Sequence, residues 1–282
     1  MADMDSENSA TNLHTLQCME LWRGNSSVES MASSTGLEAW IFSQPYQGES
    51  TGGDVHYLSL CVGGIVTRIL LADVSGHGIK VDATSNILKK LLRRFMNAKR
   101  QDRLVEELNR EFSGLEQSGR FATAVIATYL SHKKQLLLTN AGHPRPLLFR
   151  KSVGQWQFLN HVSAEEQAGN LPLGIDDSTR YEHAALQIES GDMLLLYTDA
   201  FTEAGTDHLQ LLGESGLLSL VESIPLTDSI DQFGRKLVNA VRAFAGGSAN
   251  DDETLIVIRF GEGRKSPGLL ERLRGYSAVL RG

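Results

Sequence analysis

The chain has 282 residues, of which 34 are Asp or Glu and 27 are Lys or Arg, so its formal net charge is −7 at pH 7. Surfaces that bind nucleic acids or anionic membranes need clustered Lys and Arg, and this acidic balance argues against both. Hydrophobic residues make up 41% of the chain, which is typical of a folded globular protein and excludes a disordered or fibrous one.

The composition along the chain predicts three segments. Residues 1–36 are polar and acidic, contain no secretory signal and are expected to form a mobile leader. Residues 37–262 have no Pro-rich, repetitive or low-complexity stretch and are expected to form one domain. Residues 263–282 are predicted to form a short basic helix, since Ser266 and Pro267 suit its first turn. No apolar run in the sequence is long enough to span a membrane.

The apolar pattern of residues 37–262 predicts a sheet protein with helices on its outside. Apolar residues recur every three to four positions in 87–95, 104–115 and 230–244, which predicts three helices with core-facing stripes. A continuously apolar strand is predicted at 254–260. The other predicted strands are, in chain order, Leu37–Ser43, Asp54–Val62, Ile65–Val74, Phe121–Leu130, Gln135–Asn140, Pro146–Arg150, Gln155–Leu159, His183–Ile188 and Met193–Thr198.

The pair Gly63-Gly64 predicts a hairpin of known register. Both central residues of a type I′ turn need positive φ, so Gly-Gly between two strand patterns indicates a two-residue turn. Residues whose numbers sum to 127 then face each other, which places Asp54 opposite Asp73 at the open end of the hairpin. Directly opposed side chains have Cβ atoms about 4.5–5.5 Å apart. Strand alternation puts both aspartates on the apolar face that is directed at the core.

Two close carboxylates at the end of an apolar face repel each other and resist ionisation. A divalent cation between them removes that conflict. The alternative is a β-bulge that shifts the register and leaves a flared hairpin end with both acids solvated. Asp199 follows another apolar strand, and Asp251 and Asp252 precede the last one. Acids that recur at strand ends, mostly without His or Cys beside them, indicate an all-oxygen site for Mg²⁺ or Mn²⁺ rather than for zinc.

Seven sequence blocks carry a resemblance to a known family. They are GGD at 52–54, LADVSGHG at 71–78, FATA at 121–124, NAGHPRPLL at 140–148, LPLG at 171–174, GDMLLLYTDAFTEA at 191–204 and DDETLIVIRF at 251–260. Their order and content resemble the PPM-type (type 2C) metal-dependent Ser/Thr protein phosphatases, specifically the bacterial branch typified by SpoIIE. A lone GGD is a weak signal, whereas seven blocks in family order are a specific one.

The resemblance implies an α+β fold, an αββα four-layer sandwich in which two antiparallel sheets are flanked by helices. It also implies a binuclear Mn²⁺ or Mg²⁺ centre at one edge of the sandwich. Asp73 would bridge both ions and, with Asp199, is the expected catalytic residue. Asp199 and Asp251 would hold one ion, and Asp54 with the backbone carbonyl of Val74 would serve the other, partly through water.

A few positions depart from the family or leave a choice open. Ala200 stands where the family usually has Gly, which adds a Cβ beside a ligand. Strand parity alone aligns Asp252, rather than Asp251, with the apolar residues that follow; we adopt the family's assignment of Asp251. We interpret His77 as a loop residue that shapes a helix start rather than a general acid, and His143 as a turn anchor. The unranked candidates for binding a phosphate are Arg23, Arg120 and Arg145.

The resemblance implies a protein serine/threonine phosphatase that uses a metal-activated water. Its implied partner is a phosphorylated protein, such as an anti-sigma-factor antagonist, and regulation is expected from another protein in trans. The two cysteines, Cys18 and Cys61, are too few for a disulfide framework, which favours a cytoplasmic location. One alternative is a catalytically silent phosphatase-like binding module. A diguanylate cyclase, suggested by GGD, needs an acid and an aromatic residue where this chain has Val55 and His56.

Overall fold

Two β-sheets lie face to face, and helices cover the outer face of each. This arrangement is seen in a computed structural model that describes residues 13–15, 21–61, 65–76, 79–95, 98, 100–115, 119–159, 171–206, 210–226, 229–247 and 251–261. It confirms the αββα sandwich and the α+β class that the sequence predicts.

The described strands are β1 (Leu13–Thr15), β2 (Leu21–Gly24), β3 (Val28–Ser34), β4 (Leu37–Gln44), β5 (Val55–Cys61), β6 (Val66–Val74), β7 (Ala122–Leu130), β8 (Gln135–Ala141), β9 (Leu147–Arg150), β10 (Gln155–Phe158), β11 (Ala184–Gln187), β12 (Met193–Tyr197) and β13 (Glu253–Phe260). The described helices are α1 (Ile79–Phe95), α2 (Gln101–Leu115), α3 (Gly213–Ser223) and α4 (Ile230–Ala245). One sheet has the order β1-β3-β4-β13-β12-β9-β10 and the other β11-β8-β7-β6-β5-β2. Neighbours in these described strands are antiparallel, apart from the short parallel pair β1 and β3.

Three buried apolar layers hold the sandwich together. The middle layer lies between the sheets and includes Leu58, Ile69 and Ile256. The two outer layers join β5–β8 to α1 and α2, and β4, β9, β12 and β13 to α3 and α4. Central strands are therefore buried on both faces, which explains why β12 and β13 are continuously apolar rather than alternating. Each fully buried Leu or Ile contributes about 1.5–3 kcal/mol relative to an exposed one.

The hairpin of β5 and β6 has the predicted register. Its pairs run from Cys61 opposite Val66 to Val55 opposite Ala72, and every pair sums to 127. No bulge shifts the ladder between these described residues, so the alternative of a displaced register does not apply. The predicted Gly-Gly turn itself falls in 62–64, which lie outside the described residues.

The expectation of a mobile leader needs correction for residues 21–36. Their strands β2 and β3 pair with β5 and β4, and β2 forms the edge of its sheet. An edge or half-exposed strand buries little apolar surface, so its composition resembles that of an unstructured segment. Residues 1–12 and 16–20 lie outside the described residues. So does the predicted basic helix at 263–282, which stays a prediction.

Helix α3 is absent from the sequence prediction. Its apolar residues Leu217, Leu218, Leu220 and Val221 do not form one narrow stripe, and Gly216 interrupts it. The helix is nevertheless held by the buried side chains of Leu217 and Val221, which join the layer beneath α4. Among the described helices, none combines the length and apolar character needed to cross a membrane.

Candidate metal centre

Asp54 and Asp73 lie together at the end of the β5–β6 hairpin. Asp73 belongs to β6, and Asp54 directly precedes β5, so the ladder that ends at Val55 and Ala72 brings the two aspartates opposite each other. Both project from the face that carries Leu58 into the middle apolar layer. Asp54 is only 2% exposed. This is the juxtaposition that the hairpin register predicts.

The other strand-end acids act on the same pair. Burial is the main cause that raises the pKa of Asp73 to about 8, and the negative charges of Asp199, Asp251, Asp252 and Glu203 raise it further. Burial, followed by the charges of Glu203 and Asp251, raises the pKa of Asp199 to about 6. The structure thus brings the predicted carboxylates into one electrostatic cluster, in which Asp73 and Asp199 resist ionisation until a positive charge is supplied.

Asp54 has the most enclosed carboxyl group of the cluster. Burial, and then the charge of Asp73, raises its pKa well above the ordinary range. Hydrogen bonds from Thr254 and Thr198 oppose this rise. The hydroxyl of Thr198 donates to Asp54 Oδ2 at 3.1 Å and accepts the backbone N–H of Thr254 at 3.0 Å. Thr198, at the end of β12, therefore ties Asp54 to the start of β13 across the two sheets.

Asp199 begins the short 3-10 turn Asp199–Phe201, one residue beyond the end of β12. Its backbone carbonyl accepts the N–H groups of Thr202 and Glu203 at 2.8 and 2.7 Å, which fixes the turn. Ala200 is buried, and its backbone is not among the described non-glycine residues with positive φ. The Cβ that distinguishes this chain from the family's usual Gly is therefore accommodated without backbone strain.

The two adjacent aspartates before β13 have different contacts. Asp252 accepts the backbone N–H groups of Tyr46 at 2.7 Å and Gly53 at 2.5 Å, so both of its oxygens anchor the loop between β4 and β5. Asp251 is exposed on the cleft, and its Oδ1 accepts the N–H of Asp252 at 2.8 Å. The two aspartates therefore have different surroundings, since the loop backbone engages Asp252 and the carboxylate of Asp251 is exposed at the cleft.

The glycines of the GGD block leave room for the oxygen atoms around them. A Cβ built on Gly53 would lie 3.0 Å from the carbonyl oxygen of Val74 and 3.4 Å from Asp73 Oδ1. Those two oxygens therefore flank the same side of the loop. A Cβ on Gly52 would lie 2.5 Å from Asp252 Oδ2. The backbone approaches the carboxylates as closely as it does because neither position carries a side chain.

Beside the two glycines lies a cleft of about 310 Å³, whose lining includes Gly52, Gly53, Gly76, Asp251 and Asp252. Across the described residues, no three His, Cys, Asp or Glu side chains stand close enough together to form a complete ion cage. The donor set nevertheless suits hard cations, because it is made of oxygens, its carboxylates repel one another, and Gly53 places no side chain against the Val74 carbonyl.

Of the two candidate histidines, His143 lies within the described residues. His143 is buried, burial lowers its pKa to about 3, and its Nδ1 lies 2.8 Å from Thr123 Oγ1. Its backbone N–H donates to Asn140 Oδ1 at 2.7 Å, which supports its predicted structural role at the turn. His77 lies outside the described residues.

Arg120 is a phosphate-binding candidate that lies beside a residue of the cleft lining. Its Nε lies 3.7 Å from the position of a Cβ on Gly76, a residue that lines the cleft. Arg145 instead pairs with Glu214, with Nε 2.8 Å from Glu214 Oε1, and lies over the ring of Phe158. The side chain of the third candidate, at position 23, lies outside the described set.

The sequence reasoning missed the residues that support the carboxylates. In the sequence, Thr198 stands out only as the residue before Asp199 in the block at 191–204. The anchoring role of Asp252 was not predicted. Asn25, which binds Gly52 in the GGD loop and also contacts Asp82, gave no recognisable signal, because these two partners are 27 and 57 positions away along the chain.

Comparison with known proteins agrees with this geometry. The family described as Stage II sporulation protein E (SpoIIE) matches residues 64–261. The phosphoserine phosphatase RsbU of Bacillus subtilis (strain 168) is 25% identical over 193 residues, which cover 68% of this chain and 55% of RsbU. This chain thus spans little more than half the length of that relative.

Solved structures show the same fold. The RsbU and RsbW domains of Rv1364c from Mycobacterium tuberculosis match with a TM-score of 0.68 and 22% identity, over 82% of this chain and 63% of that one. The PP2C phosphatase domain of SpoIIE from Bacillus subtilis, solved with a fragment of its regulatory domain, matches with a TM-score of 0.64 and 19% identity, over 84% and 64%. RsbX in complex with magnesium matches with a TM-score of 0.61 and 17% identity, over 83% and 100%. The chain therefore belongs to the SpoIIE family, and its fold is that of the PP2C-type phosphatases.

Proposed function

We propose that this domain is a metal-dependent protein serine/threonine phosphatase that hydrolyses phosphoserine or phosphothreonine with a water activated by two Mn²⁺ or Mg²⁺ ions. The observation that carries the proposal is the cluster of strand-end aspartates, in which burial and then the negative charges of Asp199 and Asp251 raise the pKa of Asp73. Mutual repulsion of this kind costs stability unless the cluster serves to bind cations.

The proposed ligands are Asp54, Asp73, Asp199 and Asp251, with the backbone carbonyl of Val74. Ions held in this way lower the pKa of water and offset the negative charge of a phosphoryl group. Asp73 and Asp199 are the proposed catalytic residues, because they would orient the water and the phosphate relative to each other.

The remaining residues keep this arrangement in place. Thr198 orients the Asp54 carboxylate through its hydroxyl, and Asp252 holds the GGD loop through two backbone N–H groups. His143 has no role in proton transfer in this proposal, since burial lowers its pKa to about 3 and keeps it neutral at physiological pH. Protonation of the leaving serine or threonine oxygen is assigned to water.

The substrate class follows from the relatives. RsbU carries the name phosphoserine phosphatase, and the Rv1364c structure joins an RsbU domain to an RsbW domain. We propose by analogy that the substrate is a phosphorylated protein of a bacterial partner-switching pathway, such as an anti-sigma-factor antagonist, that the protein acts in the cytoplasm, and that a partner in trans regulates it. This part of the proposal rests on family analogy.

The test compares the wild-type chain with Asp73→Asn and Asp177→Asn. Asp177 is an exposed aspartate away from the cleft, so it controls for the loss of one carboxylate. Each protein is given a phosphoserine peptide with Mn²⁺, with Mg²⁺ or with EDTA, and released phosphate is measured.

We expect turnover by the wild type and Asp177→Asn with either metal, none with EDTA, and none by Asp73→Asn. Wild-type activity in Asp73→Asn would overturn the site assignment. A wild type that binds Mn²⁺ in calorimetry but releases no phosphate would favour the catalytically silent binding module.

A further inference from the structure

Two connections between the sheets run side by side at the edge of the sandwich that carries the aspartates. One joins β2 to β3 through residues 25–27, and the other joins β4 to β5 through 45–54. The ladders show their proximity, because Gly24 pairs with His56 and Val28 pairs with Ser43. The N-terminal segment, expected to be a mobile leader, therefore supplies a residue next to the GGD block.

Asn25 is that residue, and both its backbone and its side chain form hydrogen bonds with Gly52. Its backbone carbonyl accepts the N–H of Gly52 at 2.7 Å, and its Nδ2 donates to the Gly52 carbonyl at 3.2 Å. Nδ2 also lies 3.4 Å from Asp82 Oδ1. Asn25 is only 5% exposed, so these bonds form where water competes little for them.

Residues of helix α1 form hydrogen bonds with the side chain of Asn25. The ammonium group of Lys89 donates to Asn25 Oδ1 at 3.0 Å, which leaves the amide nitrogen turned toward the loop. Asn86 Nδ2 donates to Asp82 Oδ2 at 3.2 Å, and Asp82 itself lines the cleft. Positions 82, 86 and 89 lie on one face of the helix, since residues spaced by three and four are neighbours there.

The GGD loop is thus held by two separate partners. Asp252 accepts the N–H of Gly53, and Asn25 binds the peptide groups of Gly52. Both contacts restrain the backbone that leads into Asp54, the next residue along the chain. Partners that orient a ligand in this way typically change metal affinity 10–100-fold when they are removed.

We propose that Asn25, oriented by Lys89, is a positioning residue of the metal centre, which sets the backbone of Gly52–Asp54 so that Asp54 meets Asp73 at the ion. This inference rests on the proposed function, because it assigns a supporting role to residues around that same site. It predicts that weakening the contact of Asn25 lowers metal affinity before it affects the chemical step.

The experiment compares Asn25→Ala with Gln101→Ala. Gln101 is a suitable control because it is another buried amide side chain that connects a helix to the sheet, with its Nε2 2.8 Å from the carbonyl of Ile126. In its described hydrogen bonds, Gln101 contacts neither the GGD loop nor the aspartates. Mn²⁺ affinity is measured by calorimetry, amide exchange of residues 45–55 is measured on the metal-free proteins, and kcat is measured over a range of Mn²⁺ concentrations.

For Asn25→Ala we expect about 10–100-fold weaker Mn²⁺ binding, faster amide exchange at 45–55 and a kcat that saturating Mn²⁺ restores. Gln101→Ala is expected to lose stability while its Mn²⁺ affinity and its exchange at 45–55 match the wild type. Lys89→Met, which keeps the side-chain stem but not the ammonium group, should show a smaller effect of the same kind and serves as the second variant if Asn25→Ala does not fold.

Two outcomes overturn the inference. In one, Asn25→Ala and Lys89→Met bind Mn²⁺ as tightly as the wild type; in the other, Gln101→Ala weakens binding equally, which would assign the effect to general destabilisation. A wild-type chain that binds no Mn²⁺ would instead refute the proposed function, so the two failures are distinguishable.

Discussion

The substitution Gly52→Ala tests whether close backbone approach to a carboxylate builds this site. The added Cβ would lie 2.5 Å from Oδ2 of Asp252, 2.7 Å from its Cγ and 2.7 Å from its Oδ1. Backbone strain plays no part, because the φ of Gly52 is not in the left-handed region. The cost therefore depends only on whether Asp252 can move away from the new methyl group.

Asp252 is held in place by the N–H groups of Tyr46 and Gly53, so moving it breaks both contacts. Hydrogen bonds to charged groups contribute about 1.5–3 kcal/mol each, so losing two costs about 3 kcal/mol or more. Replacing Gly by Ala also restricts the unfolded chain, which returns up to about 1 kcal/mol. We expect a net loss of about 2 kcal/mol or more in the free energy of unfolding.

The assay is chemical unfolding in EDTA, where no ion contributes, with Gly114→Ala as the matched control. Gly114 lies in α2 with nothing within 4 Å of its Cβ position, so the same substitution there should stabilise the protein by about 0.5–1 kcal/mol. In Gly52→Ala combined with Asp252→Ala, the steric part of the cost should disappear. Equal stability of Gly52→Ala and the wild type would refute the role assigned to this contact.

Two further predictions concern charge. The pKa of Asp73 in the folded state is about 8, above its ordinary value of 3.8, so between these pH values the metal-free folded state keeps a proton that the unfolded state loses. The stability that this proton confers is fully present below pH 3.8 and is lost as pH rises toward 8. Between pH 7 and 8, above the ordinary range of histidine, unfolding in EDTA should show stability that falls with pH in the wild type and a smaller fall in Asp73→Asn; an unchanged slope would contradict the assignment. Arg120→Ala should raise KM for a phosphopeptide more than it lowers kcat. Arg145→Ala breaks a partly exposed ion pair with Glu214, so it should cost at most about 1 kcal/mol of stability and leave KM unchanged. Steady-state kinetics and unfolding of both variants separate the two roles.

The pairing of Asp54 with Asp73 could be predicted because it depends on local information. A two-residue turn sets the register of both strands, and alternation then determines which side chains share a face. The ladder from Cys61 to Val55 follows that rule without a bulge. The apolar runs before Asp199 and after Asp252 were equally informative, because a strand buried on both faces has few other compositions available to it.

The support of the site could not be predicted because it depends on contacts between distant segments. Asp252 meets Tyr46 and Gly53 across about 200 positions of sequence, and strand parity, which distinguishes it from Asp251, does not reveal these partners. Strand β3 shows the same limit for the fold: most of its residues are only half-buried, so its polar composition hides a strand that pairs with β4 along seven positions.

The location of the cluster has a physical reason in the topology. Sheet ladders satisfy backbone N–H and C=O groups within the sandwich, but at this edge the chain crosses from one sheet to the other, and the carbonyl of Gly52 and the N–H of Gly53 have no backbone partner in the described strands. Side chains of Asn25 and Asp252 bind these peptide groups instead, and each brings a neighbouring carboxylate, Asp82 or Asp251, to the cleft. The contacts that satisfy the crossover backbone therefore also concentrate negative charge there. Cation binding should consequently be weakened in two different ways, by a substitution that frees the backbone or by one that removes a carboxylate. Amide exchange of residues 45–55 in the metal-free protein separates the two, because only the substitution that frees the backbone should accelerate this exchange.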